Sequence, residues 1–196
     1  LSVLTQTLLP FLDRDEDKAL ASGQAAIDAF PGLYQAALVN EMRKKLGLAE
    51  RADDDAMLIQ DLLKLMHENH MDFTLTFRKL ADMVDEKTAS GGGVGSLLEL
   101  PASFDDWLVR WQQRLGLHPM EAAKRQREMY SVNPVYIPRN HLVEEAISAA
   151  EKQQDYEHFN QLVDLLMNPF EFDPSRVRYA TPPRPEQAVT QTFCGT

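Results

Sequence analysis

Apolar residues recur every three or four positions along most of this chain, and no segment shows the alternation of apolar and polar residues that is typical of a half-buried strand. This spacing keeps the apolar side chains on one face of an α-helix. The sequence therefore predicts an all-α fold. We expect a multi-helix domain over residues 1–168 and an extended, proline-rich C-terminal tail over residues 169–196.

The ends of several helices are marked by residues with known positional preferences. Pro31 suits the first turn of a helix, and Gly47 suits the left-handed residue that follows the last turn. Later helices are predicted to begin near Asp72, Ser103 and Pro138. The faces predicted to point inward are Leu58, Ile59, Leu62, Leu65 and Met66; Phe73, Phe77 and Leu80; Trp107, Leu108, Trp111 and Leu115; Leu142, Val143, Ala146, Ile147 and Ala150; and Phe159, Leu162, Val163, Leu166 and Met167.

The glycine-rich stretch "KTASGGGVGSLL" interrupts this periodicity. Its glycines lose more backbone freedom on ordering than other residues would, so we predict a mobile loop over about residues 88–96. A phosphate cradle is the alternative, because backbone N–H groups of glycine loops bind phosphates. That motif requires a preceding strand and a following lysine, and the sequence provides neither.

Charge and cysteine content restrict the partners and the compartment. Thirty acidic and twenty basic residues give a net charge of −10, which disfavours nucleic acid and anionic membranes. The lone Cys194 rules out a disulfide within the chain and suits a reducing compartment, so we expect a cytoplasmic protein. The N-terminal apolar stretch is too short to cross a bilayer, and it begins without Met in the middle of a helical pattern. We therefore expect a piece of a longer protein.

The segment "SVNPVYIPRNHLVEEAISAAEK", residues 131–152, contains two prolines followed by an amphipathic helix. Pro134 and Pro138 each favour an extended residue before them, and Pro138 suits the first turn of the helix. Arg139 and Asn140 stand at the helix start, where the dipole mildly disfavours a cation. One interpretation is that Arg139 pairs with a carboxylate or carbonyls and fixes the turn. The other is that the two residues form a docking site for another part of the polypeptide or for a binding partner.

Residues that could carry chemistry each have a structural alternative. His67 and His70 are three positions apart, whereas helical zinc motifs need a spacing of four and a third ligand. Glu144 and Glu145 are adjacent and point about 100° apart on a helix, too far to share a proton. Trp107 could stack on a base, but its spacing from the next tryptophan also suits core packing. We predict no catalytic, cofactor-binding or metal-binding residue in this segment.

Five blocks carry a resemblance to a known family. They are "NEMRKKLGL" at 40–48, "DFTLTFRKL" at 72–80, "FDDWLVRWQQRL" at 104–115, "SVNPVYIPRNHLVEEAISAAE" at 131–151 and "LLMNPF" at 165–170. In order and spacing they resemble the C-terminal part of the selenoprotein O family, also called YdiU. The similarity covers essentially the whole chain, and the double-proline block is its most specific element.

The resemblance implies a kinase-like protein that transfers AMP from ATP to Ser, Thr or Tyr hydroxyls of proteins, with ATP and Mg or Mn as cofactors. The family's glycine-rich loop, Lys–Glu pair, metal-binding Asn and Asp, and base Asp belong upstream of the matched blocks. This chain would then be a helical scaffold whose partners are the upstream kinase-like core and protein substrates. The alternative is a free-standing all-α interaction module without a catalytic role. An exposed apolar surface left by a missing neighbour would favour the first interpretation.

Cys194 is the redox candidate, because a thiol near the end of a proline-rich tail is accessible to reaction. In the resembling family a Cys or selenocysteine lies near this terminus, and selenoprotein members end in a Cys-x-x-selenocysteine motif. Here "FCGT" leaves no second redox residue at Gly195 or Thr196. A regulatory disulfide would therefore require an upstream thiol, and an inert surface thiol is the alternative.

Overall fold

A computed structural model of the chain describes residues 2–84, 93–187 and 189. All regular structure in these residues is helical, without a β-strand, which confirms the all-α prediction. None of the helices described combines the length and the apolar content that a membrane crossing requires. The contacts divide the chain into two units, residues 1–42 and 43–196, a division that the sequence did not predict. The predicted tail boundary at residue 168 stays a prediction.

The first unit consists of α1, Ser2–Leu12, and most of α2, Glu16–Lys45. The start of α2 is capped by Asp15, whose Oδ1 accepts hydrogen bonds from the backbone N–H groups of Asp17 and Lys18 at 3.1 and 3.3 Å. Gly23 allows α1 to pack closely on α2, because a Cβ there would lie 2.8 Å from Thr5 Cγ2.

The predicted helix start at Pro31 is wrong, because α2 continues through this proline without a break. A proline within a helix removes one backbone hydrogen bond, and the other bonds of this long helix remain. The capping by Asp15 and the acidic first turn, Glu16 and Asp17, set the start instead. The predicted end is confirmed: Gly47 has a φ of +69°, and Leu48 N–H donates to the Arg43 carbonyl at 3.0 Å.

The second unit packs its helices mainly in pairs, α3 on α5, α4 on α6 and α7 on α8. Their bounds are α3, Asp55–Glu68; α4, Phe73–Met83; α5, Asp105–Gly116; α6, Ala122–Val132; α7, Asn140–Gln153; α8, Glu157–Leu166; and the short α9, Val177–Ala180. Of these pairs, α7 and α8 are consecutive in the chain, and the short connection between them favours their contact. Each of the other two pairs joins helices that have one α-helix between them in the sequence.

The core between α3 and α5 is built on Trp107 and Trp111, which are almost fully buried. Their rings stack at a centroid distance of 5.9 Å. The indole N–H groups donate to the carbonyls of Leu58 and Leu46 at 2.8 and 3.0 Å, so neither polar atom is left unsatisfied. These tryptophans therefore belong to the core and offer no stacking platform for a base.

A second core cluster joins α4, α8 and α9 with the double-proline segment. Its buried members are Leu75, Val94, Val135, Tyr136, Leu165 and Ala180. Ala180 lies in the segment predicted as tail. About half of the described part of that segment is irregular, and the rest forms short helical turns at Pro174–Arg176, Val177–Ala180 and Pro185–Gln187. The turn at Pro174–Arg176 follows Asp173, whose Oδ1 accepts a hydrogen bond from Ser175 N–H at 2.9 Å and so caps this turn.

The glycine-rich stretch is described only in its second half, since residues 85–92 lie outside the described residues. Val94–Leu97 forms a 3₁₀ helix that packs on α4, with Val94 in the core. Gly95 N–H donates to Asp82 Oδ2 at 3.1 Å, and a Cβ on Gly95 would lie only 2.2 Å from that oxygen. The described end of the predicted 88–96 loop is thus packed, because glycine permits a close approach to a buried carboxylate.

Candidate functional site

The double-proline segment is tied to the chain that follows α8. Backbone N–H groups of Val135 and Tyr136 both donate to the Pro169 carbonyl, at 2.7 and 3.1 Å. The Tyr136 hydroxyl donates to the Asp173 carbonyl at 3.2 Å and accepts from Asp173 N–H at 3.1 Å. The extended segment between the two prolines therefore makes its backbone hydrogen bonds to the loop that follows α8.

The beginning of this segment is held by buried polar contacts at Asn133. Its side-chain Nδ2 donates to the Lys45 carbonyl at 2.9 Å, and Lys45 Nζ donates to the Val132 carbonyl at 3.0 Å. Arg78 Nη1 donates to the Asn133 carbonyl at 3.1 Å, and its guanidinium lies 4.1 Å from the Tyr130 ring centre. Burial lowers the pKa of Arg78 below its ordinary value. Together these contacts fix the entrance to the segment.

Arg139, at the end of the segment, is buried against Asp72 in a bidentate pair. Its Nη1 lies 2.7 Å from Asp72 Oδ2, and its Nη2 lies 3.3 Å from Oδ1. Asp72 also caps α4, because its Oδ1 accepts from Leu75 N–H at 2.8 Å. A carboxylate thus compensates the cation that precedes α7. A further docking role for Arg139 stays a prediction.

The residues after Arg139 differ in exposure. Asn140, the first residue of α7, is exposed, and its predicted docking role is likewise still a prediction. His141 is buried, and its Nδ1 has no hydrogen-bond partner. Burial lowers the pKa of His141, and the charges of Arg139 and Arg178 act in the same direction while Glu145 opposes them. This environment favours a neutral imidazole.

A second buried ion pair, which the sequence analysis missed, joins α3 to α5. Asp55 Oδ1 accepts from Arg114 Nε at 2.7 Å, and Arg43 Nε lies 2.9 Å from Asp55 Oδ2. The backbone N–H of Ala52 donates to the same carboxylate at 2.9 Å. Burial raises the pKa of Asp55, but the hydrogen bonds and the two arginine charges outweigh it and hold this pKa below its ordinary value. The sequence contains three consecutive aspartates at residues 53–55, and only the helical period of the apolar residues that follow indicates that Asp55 points inward.

The other chemical candidates within residues 2–84 and 93–187 are exposed or form surface ion pairs. His67 and His70 are exposed, and Glu145 pairs with Arg178 at the surface. Within residues 2–84 and 93–187, no group of three or more His, Cys, Asp or Glu side chains is placed to hold a metal ion. Cys194 lies outside the described residues, so its redox role stays a prediction.

The apolar faces of α7 and α8 were predicted to point inward, and for several residues this is wrong. Ile147, Phe159, Val163 and Met167 are 45, 55, 43 and 74% exposed. The helical period identifies the apolar face correctly, but only part of that face has a neighbour among the described residues. Phe73 on α4 is exposed as well, and its ring contacts Phe77 at a centroid distance of 4.8 Å.

Three of these exposed side chains, Ile147, Phe159 and Val163, border an open groove of about 460 Å³ between α7 and α8. It begins at Pro138 and is lined by apolar residues, among them Val143, Ile147, Phe159, Val163 and Leu166. Its floor is buried, because Leu142, Ala146 and Leu162 form a core cluster with Tyr179 packed against it. The double-proline segment therefore leads directly into an exposed apolar face, and the Arg139–Asp72 pair fixes the start of the helix that carries it.

Comparison with known proteins gives consistent matches. A family model described as "Protein adenylyltransferase SelO" matches residues 1–167. Proteins described as "Protein nucleotidyltransferase YdiU" from Bradyrhizobium diazoefficiens and Rhodopseudomonas palustris are each 44% identical over 196 residues, and one from Rhizobium etli is 45% identical. Each match covers all of this chain. The chain spans 40, 40 and 39% of the length of these relatives.

Proposed function

Because this chain belongs to the protein adenylyltransferase SelO family, we propose that it forms the C-terminal helical part of an enzyme that transfers AMP from ATP to Ser, Thr or Tyr hydroxyls of proteins. The ATP site and its Mg or Mn ion belong to the remainder of the polypeptide, and this part is a scaffold without catalytic residues. The acceptor hydroxyl attacks the α-phosphorus, pyrophosphate leaves, and the hydroxyl proton passes to a base in that remainder.

The observation that carries the scaffold role is the exposed apolar groove between α7 and α8. Large contiguous apolar surfaces on soluble proteins mark sites of interaction. The buried Arg139–Asp72 pair fixes the start of α7, and core contacts join α7 to α8, so the groove has a defined shape before a partner binds. A scaffold that holds the kinase-like core in one orientation needs such a preformed face.

The test compares the full-length protein with this chain alone. Full-length protein is expected to transfer label from α-labelled ATP, with Mg or Mn, to a protein acceptor and to bind Mg-ATP in calorimetry. The isolated chain should do neither, since phosphate binding needs a cluster of donors and a metal site. A saturable Mg-ATP site on the chain alone would contradict the proposal.

A free-standing interaction module remains the second candidate, because the same groove would serve an external partner. The two candidates differ in what precedes the chain in the natural reading frame. The enzyme requires an upstream glycine-rich loop, a Lys–Glu pair and metal-binding Asn and Asp residues. A natural protein that began within a few residues of Leu1 would support the module instead.

We also propose a redox role for Cys194, in which its thiol and a thiol of the upstream core form a disulfide by exchange with an external disulfide, which is reduced to two thiols, so that AMP transfer depends on the redox state. The comparison uses the full-length protein with and without reductant, and then Cys194→Ser. The wild type is expected to respond to reductant, and the variant is not. Equal activity in all four samples, with Cys194 free after oxidation, would leave it an inert thiol.

For the compartment we propose the cytoplasm, because a single cysteine suits a reducing environment. The proposed partners are the upstream core and protein substrates. The net charge of −10 argues against nucleic acid and anionic membranes as partners. Cell fractionation and a DNA-binding titration at low salt test these points.

A further inference from the structure

We propose that the groove between α7 and α8 binds an amphipathic helix from the remainder of the same polypeptide, and that this helix carries basic residues along one edge. The inference rests on the proposed function, since it takes this chain as part of a longer protein. It goes further by assigning one surface, one type of secondary structure and one charge pattern to the internal contact.

The shape of the groove fits a helix. Two packed helices lie about 8–10 Å apart, and the furrow between them accepts the side-chain ridge of a third. Ala146 and Ala150 are small residues on the α7 side, so the incoming backbone can approach closely. Phe159 and Val163 stand along the α8 side at a spacing of four, which matches the ridge of a facing helix.

The charges beside the groove indicate the polarity of its partner. Glu144 and Glu151 are exposed on α7 and lie seven positions apart, on the outer flank next to Ile147. Complementary charge across an interface orients the partners. A helix with Lys or Arg along the edge that faces α7 would satisfy this pattern.

The size of the groove favours a tethered partner over a second copy of the chain. A face about 21 Å long and about 10 Å wide covers roughly 200 Å², whereas a stable interface buries about 800 Å² per partner. A segment of the same polypeptide needs less area, because tethering gives an effective concentration in the millimolar range. The chain spans 40% of the length of its relatives, so more than half of such a protein lies outside it.

Photo-cross-linking of the full-length protein tests the assignment. Benzoylphenylalanine is placed at Phe159 in the groove, and at Asp164 as a control on the other side of the same helix, where it lies beside Arg176 and Tyr179. The Phe159 probe is expected to cross-link, within one molecule, to a helix outside these 196 residues that carries Lys or Arg on one edge. The Asp164 probe should not cross-link to that helix.

Three results would overturn the proposal: no cross-link from Phe159, a cross-link to residues 169–196, or a cross-link that joins two copies or another protein. Val163→Asp provides a second measurement, because a carboxylate in a covered groove is desolvated without a partner. Amide hydrogen exchange in the cross-linked helix should rise about tenfold in this variant of the full-length protein. Unchanged exchange would count against the groove.

The outcome is separable from that of the proposed function. An internal cross-link in a protein that transfers no AMP would support the groove assignment and contradict the enzyme assignment. AMP transfer by a protein without the cross-link would support the enzyme and overturn the groove assignment.

Discussion

The helix pairs α3–α5 and α7–α8 have a similar pattern of apolar residues but differ in how much of it is buried. Both carry apolar residues at helical spacing. Trp107 and Trp111 are buried between α3 and α5, whereas Phe159 and Val163 on α8 remain half exposed. Helical periodicity therefore indicates which face of a helix is apolar, whereas the rest of the polypeptide determines whether that face is covered.

The polar contacts of the two pairs differ in the same way. Asp55 and Arg114 form a buried ion pair that links α3 to α5. Glu145 and Arg178, beside α7, form their pair in contact with water. The start of α7 is nevertheless fixed, because Arg139 is buried against Asp72. The open pair therefore has a rigid beginning and an uncovered face, which suits a surface that positions a partner.

The largest effect is expected when the carboxylate of Asp55, which links α3 to α5, is removed. Asp55→Ala leaves the buried Arg114 and the largely buried Arg43 without their anion and should lower the free energy of unfolding by about 3–5 kcal/mol. The matched control is Asp61→Ala, which removes an exposed pair with Arg110 on the same two helices and should cost less than about 1 kcal/mol. Urea unfolding measures both. Equal losses would contradict the distinction between a buried and an exposed pair.

Because of the Asp55 carboxylate, we also expect the free energy of unfolding to depend on pH in the acid range. The pKa of Asp55 is lowered in the folded state, so its contribution is present above the unfolded value near 3.8 and is lost as pH falls through the folded pKa. The stability difference between wild type and Asp55→Ala should therefore shrink below about pH 4. A difference that stayed constant down to the acid limit would show that this charge is not the cause.

The junction before α7 should have an intermediate effect. Arg139→Ala removes a charge-assisted pair and should cost about 1.5–3 kcal/mol, less than Asp55→Ala because Asp72 retains some contact with water. Arg178→Ala, which removes the exposed pair with Glu145 beside the same helix, should cost less than about 1 kcal/mol. An unchanged urea midpoint and slope in Arg139→Ala would remove support for a fixed junction.

The packed glycine segment provides the next test. A Cβ at Gly95 would lie 2.2 Å from Asp82 Oδ2 and 2.9 Å from Lys79 Cα, so Gly95→Ala should cost about 1–3 kcal/mol. Gly116 at the end of α5 has no atom within 4 Å of such a Cβ, and Gly116→Ala should stabilise the chain by about 0.4–1 kcal/mol. Opposite signs in thermal unfolding would confirm that close packing, and not loop freedom, requires Gly95.

The sequence predicted those features that depend on local pattern. Leu58, Ile59, Leu62 and Met66 are buried as predicted, whereas Leu65 of the same set is only partly buried. The predicted helix end at Gly47 was also found, because neighbouring residues determine such features. The continuity of α2 through Pro31 was missed, because the local cost of one proline is smaller than the stability of the whole helix. The partners of Asp55 and Arg139 were also missed. Asp55 is 59 positions from its partner and Arg139 is 67 positions from its own, and such distant residues meet only in the folded chain.

The smallest expected effect tests the open face directly, by comparing two adjacent residues of α8. Val163 lines the groove and is 43% exposed, so Val163→Ser should change the stability of this chain by less than about 0.5 kcal/mol. Leu162 is buried in the cluster with Leu142 and Ala146, and Leu162→Ala should cost about 2–5 kcal/mol. Urea unfolding of the chain alone gives both values. In the full-length protein the Val163→Ser cost should rise above about 1 kcal/mol if the groove is covered there, because a hydroxyl then replaces a buried methyl pair. A negligible cost in both proteins would mean that the face of α8 stays open in the full-length protein.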